Sequence, residues 1–255
     1  RMGGHQAAQR THDPGMEIDV ALAALGQRVV GLVAHPAVPQ RRVAAADRRH
    51  VQTFEQAEAL FAPQRVDHRR QPPREPQRLG RAAAALIKDD ERIILDSGTT
   101  TEEVAANLRE HKNLIVMTNG LNIALELSQV DKVEVMMTGG TLRKKSMSFY
   151  GSVAEKSLRD YNFNKLVLGV DGFDLRAGLT THFEKEASLN RLMCDIANEI
   201  IVVTDSSKFE QQAFHVICAS RAIHTLVTDS GIPEHYVEEL TKQGVQLHLI
   251  DKTNL

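Results

Sequence analysis

A six-residue segment, residues 96–101, holds the clearest chemistry in this sequence. It reads Asp-Ser-Gly-Thr-Thr-Thr and joins an apolar run to a predicted helix start. Gly98 lets a ligand approach the backbone closely, because it has no side chain. The hydroxyl groups of Ser97, Thr99 and Thr100, with the free N–H groups of a helix N-terminus, favour an anion, most simply a phosphate. An ordinary capped turn would explain the same residues, since Ser and Thr are also common helix caps.

Other apolar runs also end in polar or glycine residues that could bind a ligand. Asn119 follows one run, and Gly139 with Gly140 follows the next. Each of these is also compatible with a plain turn that ends a strand. Asp171 and Asp174 place two carboxylates three residues apart, which suits sugar hydroxyls or acid–base chemistry but equally suits a turn.

Charged residues near these segments carry weaker signals. Lys208 follows another run and could neutralise a phosphate, although an isolated lysine is more often a solvated charge. Glu186 lies in the first turn of a predicted helix, where a carboxylate is favourable whatever the function. Arg143 begins a short basic run that is more often a solvated loop. The eleven histidines and two cysteines show no metal-ligand spacing, so we predict no metal site and no cofactor.

Alternating strands and helices must position these groups. Seven short β-rich runs occur, at residues 93–95, 114–117, 133–137, 166–170, 200–203, 226–227 and 246–250. Such continuous apolar runs are typical of strands buried on both faces of a parallel sheet. An apolar stripe predicts a helix at residues 184–197. A capping box of Thr100 and Glu103 predicts the start of an earlier helix. A last helix is predicted with Pro233 in its first turn. The pattern predicts an α/β fold, with a mostly parallel sheet, flanking helices and strand ends meeting at one edge.

Residues 1–79 differ sharply in composition from the rest of the chain. They contain no Lys, Ser, Asn, Tyr or Cys, and they hold seven of the eight prolines and 12 of the 20 arginines. This segment is compatible with a disordered Arg/Pro/Gln-rich tail or with a small helical domain. It is also compatible with a shifted reading frame, because residue types with GC-rich codons dominate.

Length and composition limit the class of protein. A chain of 255 residues fits one large or two ordinary domains. Its longest apolar runs reach about five residues, against the ~20 needed to span a bilayer, so no membrane helix is expected. Two cysteines and no apolar signal core predict a reduced, cytoplasmic setting. A net charge of −2 excludes a globally basic nucleic-acid binder but leaves room for a local basic patch.

Taken in order, the strand-end segments resemble the effector-sensing domain of DeoR-type (DeoR/GlpR family) bacterial transcriptional regulators. The matching segments are 95–101, 117–120, 138–140, 169–174, 186–187 and 203–209. The resemblance covers the chain from about residue 78 to its end. Residues 148–151 and 189–194 further resemble the subgroup that regulates N-acetylgalactosamine and galactosamine catabolism.

The resemblance implies a fold similar to ribose-5-phosphate isomerase and a phosphorylated sugar as effector. The effector-binding residues that it implies are Asp96, Ser97, Gly98, Thr99, Thr100, Asn119, Gly139, Gly140, Asp171, Glu186 and Lys208. The related enzymes use an aspartate pair, matched here by Asp171 and Asp174, and a lysine in a Gly-rich stretch. Residues 179–182 stand where that lysine would be expected, and this departure favours sensing over turnover.

DeoR-type regulators are expected to begin with a winged helix-turn-helix domain. Its Ser-x-x-Thr-Ile-Arg-x-Asp-Leu core has no counterpart in residues 1–77, an atypical region that stands where this domain and its linker would be expected. We therefore expect a sugar-phosphate-binding sensor domain at 78–255, within a homo-oligomeric repressor that binds operator DNA if its N-terminal domain works. Galactosamine 6-phosphate and N-acetylgalactosamine 6-phosphate are the expected effectors. The alternatives are a sugar-phosphate isomerase or deaminase, and a binding module without a working DNA-binding domain.

Overall fold

The computed structural model describes residues 75–251. The interpretations of residues 1–74 lie outside this range. Among the described helices, none has both the length and the apolar character that crossing a membrane requires.

A seven-stranded parallel sheet forms the centre of the domain. Its strands are β1 (Arg92–Leu95), β2 (Leu114–Thr118), β3 (Val133–Met137), β6 (Phe163–Leu168), β9 (Ala197–Val203), β11 (Thr225–Asp229) and β12 (Gln246–Ile250). They are ordered β12-β11-β9-β6-β1-β2-β3, and every neighbouring pair is parallel. All seven runs predicted from the sequence are strands of this sheet, so the predicted α/β fold is confirmed.

Two small antiparallel sheets lie outside this parallel sheet. One is the hairpin of β4 (Thr141–Arg143) and β5 (Ser148–Tyr150). The other has the order β10-β8-β7 and comprises β7 (Gly172–Asp174), β8 (Gly178–Thr181) and β10 (His215–Cys218). None of these five strands is predicted from the sequence, because segments of three or four residues are too short to show a clear hydrophobic period.

Helices cover both faces of the parallel sheet. They are α1 (Glu75–Ala84), α2 (Thr99–Ala106), α3 (Leu121–Leu127), α4 (Ser152–Leu158), α5 (Glu184–Ile196) and α6 (Glu234–Lys242). The predicted helix 184–197 is confirmed as α5. Pro233 is the N-cap of α6, one residue before the predicted first turn.

The predicted capping box is wrong, because α2 begins two residues earlier than expected. Gly98 is its N-cap, and no side chain caps the helix. The Thr101 hydroxyl donates a hydrogen bond to the Gly98 carbonyl oxygen at 2.9 Å, and the Glu102 N–H donates to the same oxygen. Thr100 therefore lies inside the first turn, and that turn keeps its free backbone N–H groups.

The apolar core is divided between the two faces of the sheet, and β6 shows why its run is continuous. Leu166 and Leu168 pack in one cluster with Leu189 and Met193 of α5. Val167 points to the opposite face and packs in a second cluster, which includes apolar residues of α1 and α2. Since helices cover both faces, residues 166–168 at the carboxyl end of the strand are all apolar and buried.

Helices α1 and α2 cross in direct backbone contact at Gly80. A Cβ atom at this position would lie 2.5 Å from the Cβ of Glu103 and 2.6 Å from its carbonyl carbon. The two helices can approach this closely because glycine has no side chain.

Candidate functional site

The predicted site residues lie mainly at the carboxyl edge of the parallel sheet, where the strand ends meet. The loop 96–98 follows β1, Asn119 follows β2, and Asp171 lies just beyond the end of β6. Lys208 ends the short turn Ser206–Lys208 after β9. Ligands of open α/β sheets bind at this edge, outside the carboxyl ends of the strands.

The first turn of α2 presents an accessible helix N-terminus at this edge. Thr99 is exposed, and Ser97, Gly98 and Thr100 are half-buried. Because no side chain caps α2, its first backbone N–H groups are available to an anion. The helix dipole adds a partial positive charge at the same place.

Asn119 holds the loop after β1 in place. Its side-chain oxygen accepts a hydrogen bond from the Ser97 N–H at 3.0 Å, and its side-chain amide donates to the Ser97 Oγ at 3.2 Å. The Asn119 carbonyl oxygen accepts from the Phe149 N–H at 2.7 Å. Asn119 is fully buried, so it positions Ser97 and ties this loop to β5.

Glu186 lies in a dense network of donors. Both of its carboxylate oxygens accept hydrogen bonds from the Arg143 guanidinium, at 2.9 and 3.0 Å. The hydroxyls of Ser146 and Ser148 donate to it at 3.2 and 3.0 Å. Arg143 also stacks over the ring of Phe183, 4.5 Å from the ring centre. The basic run that looked like a solvated loop therefore supplies the cation that orients Glu186.

Asp96 has the most unusual surroundings of the predicted residues. Its side chain is buried, at 4% exposure, and burial raises the pKa of its carboxyl group well above the usual value. The negative charges of Glu186 and, to a smaller extent, Asp171 also raise it, whereas N–H donors of Ser97 and Gly169 lower it. Three carboxylates are thus electrostatic neighbours, and burial together with this repulsion favours the neutral form of Asp96 more than in a solvated carboxyl group.

The two aspartates of the predicted pair lie at opposite ends of β7, with Asp171 just before the strand and Asp174 as its last residue. The Asp171 Oδ2 accepts hydrogen bonds from the Thr181 hydroxyl at 2.8 Å and from the His182 N–H at 3.0 Å. Asp174 instead caps the turn between β7 and β8, where its Oδ1 accepts from the backbone N–H groups of residues 176 and 177. Only Asp171 of this pair belongs to the carboxylate group at the sheet edge.

Three predicted residues are not joined to this network by any described contact. Gly139 and Gly140 form the turn between β3 and β4 with φ values of 63° and 106°. A Cβ at Gly140 would lie 2.6 Å from the Tyr150 carbonyl oxygen, so a backbone role explains this glycine. Lys208 is half-buried, and within residues 75–251 we find no partner for its ammonium group.

Four residues of this network were missed by the sequence analysis. Ser146, Ser148 and Arg143 hold Glu186, and Thr181 holds Asp171. The missed residues lie on or beside β4, β5 and β8, short strands that had not been predicted. The available signals were the basic run that begins at Arg143 and, through the family resemblance, the segments that contain Ser148 and Thr181.

Two cavities lie near the sheet edges. One of about 290 Å³ opens beside the β4–β5 hairpin and is lined by Gly140, Tyr150 and Ser152, among others. A wider one of about 720 Å³ lies at the opposite edge, where Lys165 is near the amino end of β6 and His224 directly precedes β11. The carboxyl edge remains the better candidate, because it combines a free helix N-terminus with clustered carboxylates.

Comparison with known proteins establishes the family. Residues 72–230 match the model of the DeoR C-terminal sensor domain. The chain therefore belongs to the DeoR family, and the described α/β domain is its sensor domain.

The chain is also similar in sequence to individual regulators. The chain is 50% identical over 172 residues to a protein of Escherichia coli O157:H7 named as an aga operon transcriptional repressor. This match covers 68% of this chain and 64% of that protein. It is 36% identical to the HTH-type regulator YulB of Bacillus subtilis, covering 68% and 67%. The match thus spans less than two thirds of the E. coli protein.

Solved structures give a weaker likeness. A D-ribose-5-phosphate isomerase in complex with phospho-erythronic acid matches with a TM-score of 0.40 and 17% identity, covering 52% of each chain.

Proposed function

We propose that this chain belongs to a cytoplasmic, homo-oligomeric repressor of a sugar or amino-sugar catabolic operon. Its sensor domain, residues 78–255, binds a phosphorylated sugar, either galactosamine 6-phosphate or N-acetylgalactosamine 6-phosphate. The proposal is supported by membership of the DeoR family and by 50% identity to a protein named for repression of the aga operon. The N-terminal part of such a protein would bind operator DNA.

One observation carries the effector proposal: the carboxyl edge combines an uncapped helix N-terminus with a group of carboxylates. The first turn of α2 suits a phosphate, which accepts hydrogen bonds from free N–H groups. Asp96, Asp171 and Glu186 form an acidic group, and only Glu186 has a cation bound to it among the described residues. An ammonium group would compensate this charge. Galactosamine 6-phosphate carries both complementary charges, so the free amine is favoured over its N-acetyl derivative.

Effector binding would act on DNA binding through a shift between two arrangements of the protein. A ligand moves such an equilibrium only by its difference in affinity for the two states. The enzyme alternative is disfavoured, because Asp174 caps a turn and is not available as the second carboxylate of an acid–base pair. Turnover of ribose 5-phosphate or galactosamine 6-phosphate by the purified chain would support that alternative.

Calorimetric titration of the full chain tests the effector. Galactosamine 6-phosphate is expected to bind at least ~100-fold more tightly than galactosamine, because charge-assisted hydrogen bonds to the phosphate contribute about 1.5–3 kcal/mol each. A Thr99→Asp variant should lose at least ~10-fold in affinity for the phosphorylated sugar, because its carboxylate repels the phosphate. Its stability should not fall, since an acidic residue in a first turn is favourable.

The matched control places the same charge at another helix start. Ser152→Asp in the first turn of α4 should leave the affinity unchanged. Equal binding of the sugar with and without phosphate would contradict the phosphate site. Unchanged affinity of the Thr99→Asp variant for the phosphorylated sugar would show that the phosphate is not bound at the start of α2.

DNA binding is tested separately by electrophoretic mobility shift with the chain's own operator region. A shifted band that is weakened by the sugar phosphate is the expected result for a repressor. Sugar-phosphate binding without a shifted band in any condition would leave a binding module that lacks a working DNA-binding domain.

A further inference from the structure

The two cysteines of the chain, Cys194 and Cys218, meet in space although they are 24 positions apart. Cys194 lies in the last turn of α5, and Cys218 is the last residue of β10. Both are free thiols, and both are half-buried at the margin of the same apolar cluster. Both residues therefore retain some exposure to solvent.

Packing of α5 against β10 brings the thiols together. The Arg191 guanidinium donates a hydrogen bond to the Val216 carbonyl oxygen, which fixes the helix against the strand. Cys194 follows Arg191 by three residues, a rise of about 4.5 Å along a helix. Cys218 follows Val216 by two residues, about 6.6 Å along a strand. Across this contact the side chains of Cys194 and Cys218 are hydrogen-bonded to each other.

A hydrogen bond joins the two thiols and makes them unequal. It lowers the pKa of Cys218, whose sulfur accepts the bond, and together with burial it raises the pKa of Cys194. Since the thiolate is the reactive form of cysteine, Cys218 is the nucleophile of the pair.

We propose that Cys194 and Cys218 are a redox modification site, at which peroxide converts the two thiols to a disulfide that ties α5 to β10. The Cys218 thiolate attacks one peroxide oxygen, the O–O bond breaks, and hydroxide leaves and takes up the proton that the Cys218 thiol has released. The Cys194 sulfur then attacks the sulfenic sulfur, and the S–O bond breaks as water leaves. Two thiols lose two electrons, and one hydrogen peroxide becomes two waters.

The cross-link would join two elements that lie beside the carboxylate group. Helix α5 carries Glu186 in its first turn. Strand β10 pairs with β8, where His215 is opposite Thr181, the residue that holds Asp171. The disulfide is independent of the proposed effector, because it depends only on the contact between α5 and β10.

Oxidation of the full chain with hydrogen peroxide tests the site. The intact mass should fall by about 2 Da, both thiols should become inaccessible to alkylation, and proteolysis should release one disulfide-linked peptide pair. Dithiothreitol should restore both thiols. The oxidised protein should unfold at a higher urea concentration than the reduced protein, because the closed loop restricts the unfolded chain.

Single substitutions supply the controls. Cys194→Ser and Cys218→Ser should each lack the mass loss, and the remaining thiol should take up oxygen or pair with a second chain. If both thiols of the unmodified sequence stay open to alkylation, or if each gains oxygen separately, the pairing is wrong. Disulfides between two chains, or a lower urea midpoint after oxidation, would likewise overturn it.

Discussion

Replacing Gly178 with alanine is expected to destabilise the domain by about 3 kcal/mol, by combining backbone strain with overpacking. Gly178 begins β8 with a φ of 83°, in the left-handed region that disfavours a side chain. A Cβ there would lie 2.1 Å from the Cys218 carbonyl oxygen and 2.9 Å from the Ala219 Cα. Both neighbours are backbone atoms, so β10 must move away from β8. Urea unfolding of the purified variant measures the loss.

Gly244 supplies a matched control for this substitution. It has the same φ of 83°, but a Cβ there would meet no atom within 4 Å. Gly244→Ala should therefore cost only the backbone strain, about 1 kcal/mol. The difference between the two variants isolates the steric contact between β8 and β10. Equal losses of stability in Gly178→Ala and Gly244→Ala would contradict the close approach of β8 and β10.

Asp96→Asn is expected to stabilise the domain at neutral pH and to remove a pH dependence. Because the folded-state pKa of Asp96 is raised, the folded protein binds more protons than the unfolded chain above the ordinary pKa of about 4. Stability therefore falls as the pH rises from about 4 through the folded-state pKa. Each pKa unit of this shift corresponds to about 1.4 kcal/mol. Asparagine keeps the hydrogen-bond acceptor without the buried charge, so the variant should lack this fall.

Asp174→Asn provides a control, because it is expected to lower the stability of the domain at neutral pH. The N–H of Ala177 is the main cause that lowers the pKa of Asp174, so this carboxylate stabilises the fold above its unfolded-state pKa, and the contribution is lost as the pH falls. The two variants should therefore differ in the direction of their effect at neutral pH when urea unfolding is followed from pH 4 to 8. If the free energy of unfolding depends on pH in the same way for the wild type and for Asp96→Asn, then ionisation of Asp96 does not destabilise the folded protein.

The parallel sheet was predictable because burial on both faces forces a continuous apolar run. Val167 and Leu168 point to opposite faces and are both fully buried, and the sequence shows this directly as an unbroken run. The start of α2 was not predictable to the residue. Its Thr101 hydroxyl donates a hydrogen bond to the carbonyl oxygen of the N-cap residue Gly98, whereas a threonine N-cap would have accepted one from a backbone N–H.

The environment of the carboxylates depends on contacts between distant parts of the chain. Arg143 reaches Glu186 across 43 positions, from a hairpin too short to give a periodic signal. Asp96 is buried beside Gly169, which follows a strand more than 70 positions later. Local patterns can place a carboxylate at a strand end, but they cannot show which charge will be nearest to it.

The contact at Gly80 leaves no space between the backbones of α1 and α2, so the two helices cannot move independently. Helix α2 begins at the strand-end loop that holds Ser97, and α1 begins where residues 1–74 join the domain. Since backbone atoms touch at the crossing, α2 cannot tilt toward α1 without displacing it. A ligand that displaces α2 at the strand-end loop is therefore expected to displace α1 as well.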